Sequence, residues 1–318
     1  MTAAPPPTLV VVNPASAGGR TAHRWPEIQM ALQRAGLSVR AQLTLGRGDA
    51  IELTRRAISD RGIRRIVAVG GDGTLNEVVN GCYGEDGVRL ADELTVGLIA
   101  SGTGSDFQRT LGVSSDPTAA ARVLAAGTTR PMDVGRLTLG DGTHRHFINA
   151  ASCGIAAEVV LRVDRRRRRG VGRLRRLSFL SAAVGALFTY RNRDVVLTID
   201  NTVVRRRAQQ VVVANGRAYG AGMLIAPEAR VDDGLLDVVV VGDISRLAAL
   251  RAIPRLYRGE HLTMPLVEGL RARRVRIATE PGEDPPLLEA DGERAGRAPA
   301  EFTVLPSALR FAAPVRPS

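Results

Sequence analysis

Residues 67–76 read V-A-V-G-G-D-G-T-L-N, and they carry the clearest chemistry in the chain. A short β-branched run meets Gly70, Gly71 and Gly73 around one carboxylate, Asp72, and Thr74 then opens a helical pattern. A strand that turns this sharply is expected to use glycine for positive φ at little steric cost. A helix starting behind the turn presents unpaired N–H groups and a partial positive charge, and both suit a phosphate. Asp72 would repel that phosphate unless a cation lay between them, so it is a candidate Mg²⁺ partner, directly or through water. All 44 basic residues are arginine. The lack of lysine excludes the lysine-dependent phosphate machines, including the Walker loop and the protein-kinase strand lysine, and it excludes Schiff-base catalysis. Phosphate chemistry here must rest on backbone amides, arginine and metal.

The elements that would hold this loop alternate. Residues 8–12, 38–45, 66–69 and 95–100 have strand character, and residues 22–35, 49–60 and 75–82 have helical spacing. That order predicts a mostly parallel α/β sheet covered by helices, with ligands at the carboxyl ends of the strands. Three strands run into loops rich in Gly, Ser and Thr: Asn13-Pro14-Ala15-Ser16-Ala17-Gly18-Gly19, the loop at Gly70, and Ser101-Gly102-Thr103-Gly104. They are expected to converge on one cleft. Near Pro131 the pattern changes. The β-type segments 133–139, 146–151, 194–200, 209–214, 235–241 and 273–278 then dominate, with helical stretches at 155–163, 174–190 and 245–258. The expected organisation is a nucleotide-binding α/β domain over residues 1–131 and a β-rich substrate domain over 132–318, whose last residues are free to pack back on the first domain.

A length of 318 residues is comfortable for two cores. The net charge of +12 favours acidic partners: nucleic acid, anionic lipid or phosphorylated substrates. Cys82 and Cys153 form no disulfide framework and no C-x-x-C pair, so they read as small buried fillers in a reducing compartment. The four histidines, His23, His144, His146 and His261, show no zinc spacing. Residues 1–7 lack the basic and apolar regions of a secretory signal, and no stretch reaches about 18 uncharged apolar residues. The expectation is a cytoplasmic protein that at most lies on a membrane.

The segment 162–176 points to how it would do so. It holds five consecutive arginines, from Arg165 to Arg169, with Arg162, Arg173, Arg175 and Arg176 around them. The run feeds into Leu177, Phe179, Leu180, Val184, Leu187 and Phe188. A charge run is usually a solvated face. A basic cluster beside an apolar helix is also a membrane-surface signature, and a peripheral anionic membrane is the partner expected here. Nucleic acid is not expected, because stacking aromatics are absent near the run.

Four motifs fall in order along the chain: Asn13-Pro14-Ala15-Ser16 with Gly18-Gly19; Gly70-Gly71-Asp72-Gly73-Thr74-Leu75-Asn76-Glu77; Ser101-Gly102-Thr103-Gly104-Ser105-Asp106-Phe107; and Asp291-Gly292-Glu293. Together they resemble the diacylglycerol kinase catalytic-domain family, with its soluble bacterial lipid kinases and the related sphingosine kinases. The resemblance covers nearly the whole chain. NAD kinases and 6-phosphofructokinases carry loops similar to G-G-D-G-T; the N-P-x-S start and the distal D-G-E make the combination specific. The resemblance implies an N-terminal domain like that of 6-phosphofructokinase and NAD kinase, a β-sandwich-like C-terminal domain, and ATP-dependent transfer of the γ-phosphate to a lipid hydroxyl with Mg²⁺. On this match Asn13, Pro14 and Ser16 flank the nucleotide and Thr44 contacts it. Gly70, Gly71, Asp72, Gly73, Thr74 and Asn76 cradle the phosphates, and Gly102 and Thr103 close the site. Residues 226–235 look like the bacterial family's structural Mg²⁺ loop, with a carboxylate from Asp233 and backbone carbonyls from Arg230 and Leu235. Glu293 matches the proposed proton acceptor, with Asp291 beside it. One departure is Ser105, where the family usually has Asn.

Phosphoryl transfer needs alignment and charge neutralisation more than covalent help, and a carboxylate can take the proton of a lipid alcohol as it attacks. On a regular strand Asp291 and Glu293 would share a face. A turn at Gly292 would change that, and D-G is the commonest hairpin signal. Asp232-Asp233-Gly234 is likewise a good turn. Two other functions fit parts of the pattern: an NAD-kinase-like phosphotransferase, and a catalytically silent module that binds nucleotide or anionic lipid. Diacylglycerol, phosphatidylglycerol, a sphingoid base and a polyprenol all remain open as acceptors, and edge strands in the second domain leave a homodimer open.

Overall fold

The computed structural model describes residues 8–61, 63–101, 106–168, 175–220 and 222–314. The chain divides into two compact units, Met1–Met132 with Ser307–Ser318, and Asp133–Pro306.

The first unit follows from its apolar runs. Strands β1 (Thr8–Val12), β2 (Val39–Leu43), β3 (Arg65–Gly70) and β4 (Thr95–Ala100) are separated by helices α1 (Arg20–Arg34), α2 (Asp49–Arg61) and α3 (Asp72–Gly81). The strands lie in the order β2-β1-β3-β4, all parallel. Val10, Val12, Val67, Val69 and Ile99 are buried under Ile28, Ala31 and Leu32 of α1, as a sheet covered by helices requires. Two further helices follow in a stretch left unassigned by periodicity, α4 (Asp106–Leu111) and α5 (Pro117–Ala126). Asp116 caps α5 by accepting from the Ala119 N–H at 2.8 Å.

The second unit runs through β5 (Thr129–Leu139), β6 (His144–Phe147), β7 (Ala150–Gly154), α6 (Ile155–Arg168), α7 (Arg175–Thr189), β8 (Arg193–Ile199), β9 (Thr202–Ala208), β10 (Gln210–Ala214), β11 (Leu236–Val241), α8 (Arg246–Arg258), β12 (Val267–Ala272), β13 (Arg274–Ala278), β14 (Leu287–Ala290), β15 (Glu293–Arg297) and β16 (Ala300–Ala312). One sheet has the antiparallel order β12-β11-β10-β7-β14-β15. In the other, β13 lies between β8 and the first residues of β16, and β9 forms the edge. Their inner faces share one core, in which Val211, Val213 and Leu288 from the first sheet meet Leu197, Ile277 and Phe302 from the second. This is a β-sandwich. The end of β16 belongs to the first unit, where Arg310 and Phe311 pair parallel with Thr95 and Val96.

The expected strand over 146–151 is instead two strands broken at Ile148 and Asn149, and the reason lies in the site. Strand β9 went unread because three of its seven residues are exposed arginines on a sheet edge.

Candidate functional site

In the first unit, the loop after β1 and the loop after β3 are tied together. The Asn13 Nδ2 donates to Thr74 Oγ1 at 3.0 Å, and the Asn13 backbone N–H donates to the Val69 carbonyl at 2.9 Å. The Asn13 side-chain oxygen accepts from the Ala15 N–H, and the Ser16 hydroxyl donates back to the Asn13 carbonyl at 2.9 Å. The Thr21 hydroxyl, fully buried, donates to Ser101 at the end of β4. Pro14 lies in the turn between these contacts. The chain enters α1 through left-handed residues, Ala17, Gly18 and Gly19, with φ of 55°, 70° and 90°. Neither α1 nor α3 has a side-chain cap at its N-terminus. A cavity of about 240 Å³ at the start of α1 is lined by Ala17, Arg20, Arg24 and Ser101. Uncapped helix N-termini with arginine nearby suit an anion.

The glycines of the second loop serve a different purpose from the expected one. Gly70, Gly71 and Gly73 are not among the positive-φ residues, and Gly71 is extended at φ −104° and ψ −170°. A Cβ on Gly70 would lie 2.4 Å from Thr74 Oγ1, so this glycine is required by close approach rather than by torsion. A Cβ on Gly73 would meet nothing within 4 Å. Helix α3 starts at Asp72, three residues before the stretch 75–82 that the periodicity predicts.

Asp72 has a definite task in this structure. Its carboxylate accepts from the backbone N–H groups of Asp106 and Phe107, at 2.9 and 3.3 Å, and so caps α4. Asn76 and Thr74 are buried, and Glu77 accepts from the N–H groups of Gly48 and Ala50 at the start of α2. Thr44 is buried, and its N–H donates to the Val12 carbonyl at 2.8 Å. Gly102, Thr103 and Ser105 lie outside the described residues; of the arginine run, Arg165–Arg168 end helix α6, Arg175 and Arg176 open α7, and Arg169 and Arg173 lie outside the described residues.

In the second unit, Asp291 and Gly292 form the turn between β14 and β15, with φ of 48° and 78°. Two consecutive positive φ values mark the tight hairpin turn that D-G favours. The Asp291 carboxylate accepts from three N–H groups, those of Ile148, Asn149 and Ala150, at 2.8 to 3.1 Å. That grip breaks the expected single strand. Asp291 and Glu293 therefore have separate partners: half-buried Glu293 pairs with the Arg145 guanidinium. Beneath the turn sits Glu289, a residue the sequence reading passed over. It is buried, accepts from the Ser152 hydroxyl at 2.6 Å and from the Gly292 N–H at 2.9 Å, and burial pushes its carboxyl up to about 7. Its signal was a lone acid in the apolar run L-L-E-A.

The loop before β11 holds the remaining candidates. Asp233 accepts from the Leu235 N–H at 3.1 Å and pairs with Arg271, and Arg230 pairs with Asp232. Asp133, fully buried, accepts from the Gly234 N–H at 2.7 Å. Asp237 keeps one buried carboxylate oxygen without a hydrogen-bond partner, and burial raises its carboxyl to about 6 despite Arg271, with Asp233 and Glu228 adding to the rise. Among the described residues no group of three or more His, Cys, Asp or Glu side chains is arranged to hold a metal. Cys82 and Cys153 are buried, and burial pushes both thiols up to about 12, which makes them poor nucleophiles. No helix of the described residues is long and apolar enough to cross a membrane.

Comparison with known proteins agrees with this architecture. Residues 7–137 match the diacylglycerol kinase catalytic domain, and residues 149–313 match the YegS C-terminal NAD kinase beta sandwich-like domain. A diacylglycerol kinase of Mycobacterium tuberculosis (strain CDC 1551 / Oshkosh) is 31% identical over 84% of this chain and 82% of its own length. A crystal structure of a protein from Bacillus anthracis str. Sterne aligns with a TM-score of 0.77 at 25% identity, over 99% of this chain and 98% of that one. A crystal structure of a diacylglycerol kinase from the same organism aligns with a TM-score of 0.74 at 24% identity, over 96% of each chain.

Proposed function

The chain belongs to the diacylglycerol kinase catalytic-domain family and is a kinase acting on a lipid hydroxyl, and on that premise we propose that ATP is its phosphoryl donor and diacylglycerol or a closely related lipid its acceptor. The observation that carries the donor assignment is the pair of helix N-termini without side-chain caps, tied together through Asn13 and Thr74, with Arg20 and Arg24 lining a cavity at the start of α1. Amides at the starts of α1 and α3 would orient the phosphates, and the arginines would offset their charge. Asn13, Ser16 and Thr74 hold the two loops in register for this. Thr44, Asn76, Gly102 and Thr103 complete the nucleotide site in this reading. Because Asp72 caps α4, its part is to fix the loop and, through water, to meet the Mg²⁺ that accompanies ATP.

Glu293 is the proton acceptor in this reading. It stands half-buried beside the Arg145 guanidinium, whereas the Asp291 carboxylate is engaged by three backbone N–H groups and acts as scaffold. The acid loop fits a hard cation by its donor chemistry: it offers only oxygen, and Asp237 keeps one oxygen without a partner. Mg²⁺ there would be held by Asp233 and the carbonyls of Arg230 and Leu235, and when bound it would neutralise the acids and brace the loop.

The test is incubation of the purified protein with labelled ATP, Mg²⁺ and a panel of acceptors: diacylglycerol, phosphatidylglycerol, sphingosine, a polyprenol and NAD. Label in phosphatidic acid is the expected result. Label in NAD alone, or in no acceptor, would overturn the assignment.

A further inference from the structure

Helix α8 presents a cationic outer face that the proposed mechanism does not use. Its sequence is R-L-A-A-L-R-A-I-P-R-L-Y-R, with four arginines and no acid. Ala249 and Ala252 are buried, and Ala248, Ala249 and Leu250 pack with Ala182, Ala186 and Leu187 of α7 and with Ile155 and Val159 of α6. That fixes which way the helix points. On the side away from this core, Leu247, Arg251, Pro254 and Arg258 follow one another at helical spacing, and all four are exposed. Arg246, Arg255 and Tyr257 flank that line and are exposed too. Leu247 is 56% exposed and Tyr257 44%. Arg258 is offset by Glu260 at 2.9 Å, while no carboxylate partners Arg246, Arg251 or Arg255 among the described residues.

Singly exposed apolar residues are common on protein surfaces; what marks this face is that Leu247 and Tyr257 lie among three arginines that no carboxylate partners among the described residues. The same set meets the demands of an anionic bilayer: guanidinium groups reach lipid phosphates, Leu247 enters the acyl boundary, and Tyr257 settles at the headgroup level. We propose that the outer face of α8 is a docking surface for anionic membranes. The inference rests on the lipid-kinase reading, because a bilayer is where such an acceptor resides. It concerns a different element from the arginine run at 165–169.

The experiment is co-sedimentation of the full chain with vesicles of phosphatidylcholine alone, or of phosphatidylcholine with phosphatidylglycerol, without ATP and without acceptor lipid. The protein is expected to bind only the anionic vesicles, and less at high salt. Each arginine neutralised at the surface lowers affinity about five-fold, so Arg251→Gln/Arg255→Gln is expected to lose about 25-fold. The same loss of charge at Arg56 and Arg122, exposed on the first unit, is expected to change affinity less than about two-fold if the contact is local. In Leu247→Trp, the emission should shift to the blue on adding anionic vesicles, relative to the parent. Failure of the parent to bind, equal losses in both double variants, or no loss in the α8 variant would each overturn the proposal. Phosphorylation of a short-chain diacylglycerol in zwitterionic micelles, unchanged in the α8 variant, reports the kinase reading separately.

Discussion

At the scale of single residues, carboxylates that look alike in the sequence carry different loads. Glu293 is half-buried beside an arginine, Asp291 is gripped by three N–H groups, and Glu289 is buried under both. If Glu293 takes the acceptor's proton, Glu293→Gln lowers kcat by about 10²- to 10⁴-fold, the usual worth of a general base, with little change in melting temperature. Asp291→Ala should instead destabilise the second unit by more than about 3 kcal/mol, since hydrogen bonds to a charged group contribute about 1.5–3 kcal/mol each. Chemical denaturation distinguishes the two. Glu289 gives a pH test. Its native carboxyl is pushed up to about 7 from an ordinary value of 4.5, so between those values the folded state binds more protons than the unfolded. The stability it contributes is fully present below about 4.5 and is lost as pH rises through about 7. Glu289→Gln removes that loss, and its melting temperature should gain on the parent's between pH 5 and pH 8.

At the scale of elements, the loop from β3 into α3 separates two kinds of glycine. Gly70 is needed by packing, because a Cβ there would displace the Thr74 hydroxyl that receives the Asn13 amide. Gly70→Ala should lower stability by about 1–3 kcal/mol through overpacking. Gly73 faces open space in the first turn of a helix. Gly73→Ala should leave stability unchanged or raise it by up to about 1 kcal/mol. If phosphate approaches the N-terminus of α3, the same variant loses nucleotide affinity, which calorimetry with ATP would register. In the second unit Gly135 likewise yields to a ring, with the place of its missing Cβ 2.1 Å from Phe147.

At the scale of the whole molecule, the last strand matters out of proportion to its position in the sequence. Strand β16 begins beside β13 and ends as a parallel neighbour of β4. Phe311 is buried and packs edge-on against Phe107 at 6.3 Å. Phe311→Ala should cost about 3–5 kcal/mol and lower the melting temperature of the first unit, although the residue lies far along the chain from that unit's other strands, the last of which, β4, ends at Ala100. The net charge of +12 acts at the same scale. Association with anionic surfaces should weaken steeply with salt, while the rate on micellar substrate should not.

Periodicity alone was enough to read the parallel sheet, because β1, β3 and β4 are buried on both faces and need continuous apolar runs. Glycine and hydroxyl residues at strand ends marked the loops on which the proposed nucleotide site rests, and the order of four motifs identified the family. The partners of the carboxylates were not legible. Asp72 meets N–H groups 34 residues away, and Asp291 meets N–H groups 141 to 143 residues away. Such pairings arise when strands come into register, and no local spacing encodes them. Strands β9 and β15 were hidden for a related reason, since their polar residues become strand only by pairing with a neighbour. What each residue could do was written in its type and spacing; which of those options it takes was decided by the backbone that folding brought beside it.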